Sequence, residues 1–271
     1  MSTTPKDSKR SLKEKAAAAR AAAEAEQRRR DRRVRILGGI AILVAVGLIF
    51  GAVFYNNSQK TTTGSSSGTV ADAKLPKGVL AADPNAWGVP YNSVAGKPTL
   101  AIWEDFQCPS CASYEKSHGA DLIKLADAGK VNLVWRPTAF LDARFAATSP
   151  NPNSSNAAAQ AWGCAIDAGQ AKAYHSTVFA NQPQNEGDGY SQATLLGFGQ
   201  TAGITGAAYT TFEACVKAST YRDWVNNSYQ AFQDTAVPGT PTAYLNGTEV
   251  PAKTLNDMTA LEALIASTPA S

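Results

Sequence analysis

The stretch Thr99-Leu100-Ala101-Ile102-Trp103-Glu104-Asp105-Phe106-Gln107-Cys108-Pro109-Ser110-Cys111 decides how this chain folds. Its first eight residues alternate with the period of a β-strand. Leu100, Ile102, Glu104 and Phe106 point one way; Ala101, Trp103 and Asp105 point the other. A helix is expected over 108–128. Pro109 suits its first turn, because the N–H that proline lacks would have no partner there. Gly129 suits its end. Residues 131–135 (VNLVW) read as a second buried strand. Strand, helix, strand with short connections is a βαβ unit.

Beyond it, residues 151–234 carry a helical signal. Trp162, Ala165, Ile166 and Gly169 fall at i, i+3, i+4 and i+7, and Phe212, Cys215, Val216 and Ser219 repeat the spacing. Strand character returns at 242–245 and 248–250, flanking Asn246-Gly247, a two-residue hairpin signal. A last helix is expected over 255–266, with Leu255, Met258, Leu261 and Ile265 inward. Thr254 and Asp257 read as a capping box with Asp in place of Glu. The order βαβ, helical block, ββ hairpin, helix is a thioredoxin-like α/β layout with helices inserted between its halves.

The 271 residues carry a net charge of +3, unevenly placed. Residues 1–35 hold 12 Lys/Arg against 5 Asp/Glu, and the rest hold 13 against 17. The basicity belongs to the N-terminal arm, so nucleic-acid binding by the main domain is not expected. Residues 36–54 (ILGGIAILVAVGLIFGAVF) are free of charge and proline, and Tyr55 follows. That is long enough to cross a hydrocarbon core of about 30 Å. Arg28, Arg29, Arg30, Arg32, Arg33 and Arg35 precede it, which keeps the N-terminus cytoplasmic. Phe54-Tyr55-Asn56-Asn57 is a poor cleavage site. The expected organisation is a cytoplasmic basic tail (1–35), one transmembrane signal anchor (36–55), a polar linker (56–74) and an extracytoplasmic domain (75–271). The cell membrane is the expected location. Disulfides persist outside the cytoplasm.

Cys108-Pro109-Ser110-Cys111 carries the chemistry. Cys108 falls at a helix N-terminus, where unpaired N–H groups and the helix dipole favour a thiolate. Cys111, one turn on and more buried, is placed to resolve a mixed disulfide. Pro109 and Ser110 tune the pair. The rivals are a zinc site and a purely structural bridge. The other cysteines stand alone and the two histidines, His118 and His175, show no ligand spacing, so no metal is expected. So short a loop would stabilise little.

Trp103–Cys111 as a whole resembles the active-site segment of the DsbA-like thiol–disulfide oxidoreductases of the thioredoxin superfamily, in particular their membrane-anchored bacterial branch. Val237-Pro238-Gly239-Thr240-Pro241-Thr242 resembles the family's cis-proline loop. The resemblance spans about 75–266. It implies a cis Pro241 opposite the cysteines and a Thr240 backbone turned toward an extended substrate, with Pro109 and Ser110 also at the substrate edge. It places Ile102 where such enzymes often carry a buried acid. Glu104, on the same strand face, is the candidate to move a proton to or from Cys111, against a surface or structural role. Asp105 is assigned no catalysis. His118 is two turns from Cys111, and His175 reads as a packing or surface residue. Four cysteines allow three pairings. With Cys108 and Cys111 as the reactive pair, Cys164 and Cys215 read as a structural disulfide, the alternative being a second redox pair.

The implied function is introduction of disulfides into exported cysteine-containing proteins, with no cofactor. A membrane partner of the DsbB or vitamin K epoxide reductase type would reoxidise a monomeric enzyme. The alternatives are a reductase or isomerase on the same fold, or a chaperone-like peptide-binding module.

Overall fold

The computed structural model describes residues 72–82 and 84–270. The expected basic tail, signal anchor and most of the linker lie outside the described residues. Among the described residues no helix is long and apolar enough to cross a membrane.

The sheet has five strands among the described residues, ordered β1-β3-β2-β4-β5. They are β1 (Val89–Pro90), β2 (Thr99–Glu104), β3 (Asn132–Pro137), β4 (Thr242–Leu245) and β5 (Thr248–Glu249). β2 runs parallel to β3, as a βαβ unit requires, and antiparallel to β4. As the central strand β2 buries both faces. Leu100 and Ile102 enter the main core, and Trp103 packs on the other side with Phe232 and Val237. The β2–β4 register pairs Trp103 with Thr242. The residues just before β4 therefore lie beside those just after β2. This pairing brings Thr240-Pro241 to the cysteines across 132 residues of chain.

The expected helix over 108–128 is not one regular α-helix. It comprises α1 (Pro109–Tyr114), a π-helical turn (Glu115–Gly119) and α2 (Ala120–Asp127). Gly129 ends it at φ 63°, the left-handed conformation that glycine adopts without cost. β3 extends two residues beyond the expected strand.

The helical block begins earlier than expected, with α3 (Phe140–Phe145). It continues through α4 (Ser154–Asp167), α5 (Ala171–Ala180), α6 (Gln192–Thr201), α7 (Gly206–Lys217) and α8 (Arg222–Asp234). The block shares one core with the sheet. Trp162 of α4 meets Phe106 edge-on at 5.6 Å and Trp135 of β3 at 6.2 Å between ring centroids. Cys164 of α4 is bonded to Cys215 of α7.

The hairpin turns at Asn246 (φ 48°) and Gly247 (φ 81°), the two positive values of a type I′ turn. The last expected helix is two: α9 (Ala252–Leu255) and α10 (Met258–Ser267). Thr254 is not the cap. Asp257 is, accepting hydrogen bonds from the N–H groups of Thr259 and Ala260. An aspartate three residues after a threonine fits either a capping box or a fresh N-cap, and here the extended backbone at Asp257 selects the second.

Candidate active site

Cys108 is the N-cap of α1, with extended backbone (φ −75°, ψ 117°) and Pro109 following. Cys108 and Cys111 both carry free thiols and are buried, Cys111 completely. The Cys108 thiol donates to the Thr240 carbonyl at 3.3 Å, and the Thr240–Pro241 peptide is cis.

The two sulfurs are electrostatically opposite. The Cys108 thiol is lowered to about 6, first by the hydrogen bond from Cys111 and then by the Thr240 side chain and the N–H groups of Cys111 and Ser110, against the upward pull of burial. Cys111 is raised well above the usual thiol value, chiefly by burial, then by Cys108 and Glu104. One sulfur is thus poised as thiolate and the other held as thiol, the division of labour that exchange needs.

Two buried polar networks surround the pair. On one strand face, Asp105 accepts from the N–H groups of Gln107 and Leu141 and from the Ser155 hydroxyl. Asp142 in turn accepts from the N–H groups of Ser155 and Asn156, capping α4 from α3. This face ties the active-site loop to the helical block. Gln182 and Tyr190 add to the tie. Gln182 donates to the carbonyls of Phe106 and Cys108 at 2.7 and 3.0 Å, and Tyr190 donates to that of Phe106 at 2.7 Å.

On the other face Glu104 is buried, with 4% of its side chain exposed, and meets His175 Nε2 at 2.9 Å. His175 Nδ1 faces Glu115 Oε2 at 4.0 Å. Burial first pushes Glu104 up to about 8, with Glu115 opposing and the Cys108 charge adding to it. Burial likewise pushes Glu115 up to about 8, and Glu104 adds to it. Burial pushes His175 down to about 4. This trio carries the donor types of metal sites, its atoms lying within 4.8 Å of one another. Its two carboxyls meet different ring nitrogens, an arrangement suited to sharing protons.

A sequence model of the thioredoxin family matches residues 93–265. The chain belongs to this thioredoxin family. Solved structures similar to it include the thiol–disulfide oxidoreductase MdbA of Actinomyces oris (22% identity, TM-score 0.59, covering 75% of this chain and 94% of that one). Reduced DsbA of Mycobacterium tuberculosis is 26% identical, with TM-score 0.52 and coverage of 72% and 91%. Oxidised BdbD of Bacillus subtilis is 18% identical, with TM-score 0.52 and coverage of 71% and 95%. No curated protein matches the chain significantly by sequence. Family membership, the likeness to the M. tuberculosis DsbA and the free cysteine pair make the chain a thiol–disulfide oxidoreductase.

In this thioredoxin-family enzyme the structure brings Cys108, Cys111, Glu104 and Thr240 together. Pro109 and Ser110 sit at the exposed entrance to α1, and the Cys164–Cys215 bridge lies within the helical block. Ile102 is fully buried in the apolar core. His118 packs on the Tyr114 ring. The surface alternatives for Glu104 and His175 are corrected. His175 is completely buried, and it is a site residue as well as a packing one, because it meets Glu104. Glu115 and Gln182 were not anticipated. Glu115, four residues after Cys111, is one helical turn away and was detectable from that spacing; Gln182 left no local signal.

Proposed function

We propose that this enzyme oxidises the thiols of exported proteins, from a domain tethered outside the membrane by the 36–55 anchor. The observation that carries the direction is the setting of Cys108. A thiolate stabilised at a helix N-terminus and by its neighbours stabilises the reduced enzyme, which makes its disulfide a stronger oxidant.

In the forward cycle a substrate thiolate attacks Cys108 of the Cys108–Cys111 disulfide. Cys111 leaves as thiolate and takes the proton held by Glu104. A second substrate thiolate attacks the substrate sulfur of the mixed disulfide, and Cys108 leaves as the stabilised thiolate. Two substrate thiols lose two electrons and the enzyme dithiol gains them. An extended substrate backbone pairs beside Thr240, close to Pro109 and Ser110. A membrane partner of the DsbB or vitamin K epoxide reductase type returns the pair to the disulfide.

The full chain, oxidised and mixed with a reduced unfolded protein, should transfer one disulfide per enzyme, and Cys108→Ser should transfer none. Transfer surviving in Cys108→Ser, or no transfer by the oxidised parent, would sink this reading.

A further inference from the structure

The π-helical turn has a specific geometric consequence. π-turns interrupt α-helices mostly at functional sites. This one begins at Glu115 and turns its carboxyl inward, to Glu104 and His175. Gly119 closes it. A Cβ on Gly119 would stand 2.4 Å from Glu115 Oε2, so glycine leaves the space the carboxyl occupies.

Glu104 and Glu115 differ in access. Glu104 is sealed in, whereas 11% of the Glu115 side chain is exposed. Glu115 lines a groove of about 930 Å³ between the active-site helix and α5, with Gly119, Ile123, Trp135 and Phe179. One buried oxygen of each carboxyl, and His175 Nδ1, lack a hydrogen-bond partner.

We propose that Glu115 is the solvent port through which Glu104 exchanges the Cys111 proton, Gly119 making its berth and His175 holding the two carboxyls together. Glu115 and His175 are positioning residues, since neither touches a sulfur. When the disulfide is reduced, the Cys111 thiolate takes a proton from Glu104. Glu115, whose carboxyl lies within 4.8 Å of that of Glu104, hands its own proton to Glu104 and regains one from water in the groove. No electrons move in these steps. The other titratable groups facing the path are Cys108, the N-cap of α1, and Tyr114 at its end, with Lys116, Lys124, Asp127 and Lys172 at the groove. The inference rests on the assignment of the Cys111 proton to Glu104.

The test is the rate at which dithiothreitol reduces the oxidised full chain, followed by tryptophan fluorescence from pH 6 to 9. Glu104→Gln, Glu115→Gln, Gly119→Ala and His175→Gln are compared with the parent. Glu115→Gln and Gly119→Ala should each slow the step about tenfold or more and flatten its pH dependence, while the Cys108 thiolate titration stays near 6. His175→Gln, which keeps a side-chain N–H for Glu104, should fall less. Parent-like rate and pH profile in both Glu115→Gln and Gly119→Ala, with Glu104→Gln altered, would overturn the port and leave Glu104 standing. A parent-like Glu104→Gln would remove the assignment beneath it as well.

Discussion

His175 Nε2 lies 2.9 Å from Glu104 Oε2, across 71 residues, joining the helical block to the strand that ends at the reactive cysteines. Both groups are fully enclosed, and burial sets the protonation of each. The imidazole is held neutral and the carboxyl is held protonated well above its ordinary range. The helical block is therefore part of the redox site as well as a lid on the sheet.

Cys108 should titrate alone near 6. Thiolate absorbance of the reduced full chain should rise in one step there, with Cys111 silent up to pH 9. Cys111→Ala removes the largest hydrogen bond holding the thiolate and should move the midpoint up toward 9. A midpoint unchanged by that substitution would contradict the assigned cause.

Stability should depend on pH differently in the two redox states. Burial raises Glu104 and Glu115 from 4.5 to about 8 and Asp105 from 3.8 to about 7. The folded state then holds more protons than the unfolded, and stability falls as pH rises. His175, lowered from 6.5 to about 4, works the other way but only below about 6.5. The oxidised protein should thus lose thermal stability between pH 6.5 and 8. In the reduced protein Cys108, lowered from 9.0 to about 6, adds stability over pH 6 to 9. The difference in Tm between reduced and oxidised forms should widen in favour of the reduced form across that range.

Asp105 carries structure. Its carboxyl accepts two N–H groups and one hydroxyl, all buried. Asp105→Ala leaves those donors unpaired and should cost about 3 kcal/mol or more in unfolding free energy, by denaturant titration. Loss of exchange activity should follow loss of fold. An unfolded fraction too small to account for the lost activity would indicate a direct role.

The Cys164–Cys215 bridge closes a loop of 51 residues. In the chain-entropy model that is worth about 4 kcal/mol. Cys164→Ala/Cys215→Ala should unfold at a distinctly lower temperature yet still exchange disulfides at Cys108 when folded. Exchange lost at full folding would make the bridge a second redox pair.

What the sequence disclosed was local or periodic. The βαβ unit, the Asn246-Gly247 hairpin and the cysteine pair each lie within a short window, where alternation, turn chemistry and spacing decide the backbone. What stayed hidden depended on packing between distant segments. The π-turn answers to where Glu115 must point, which no propensity encodes. His175 sits in a helical stretch with no signal of its own, and its meeting with Glu104 exists only once α5 has packed beside the active-site helix. Gln182 reaches two backbone carbonyls that any residue could have offered. The misplaced α10 cap turned on one residue's dihedral angles, a choice that Thr254 and Asp257 left open.

On the proposed reading, the setting of Cys108 makes this enzyme an oxidant. The reduction potential of the Cys108–Cys111 pair, equilibrated against glutathione in the full chain, tests it most directly. The stabilised thiolate predicts a potential between about −120 and −180 mV, the range of oxidants and isomerases. A value near about −270 mV, typical of a reductase, would contradict it.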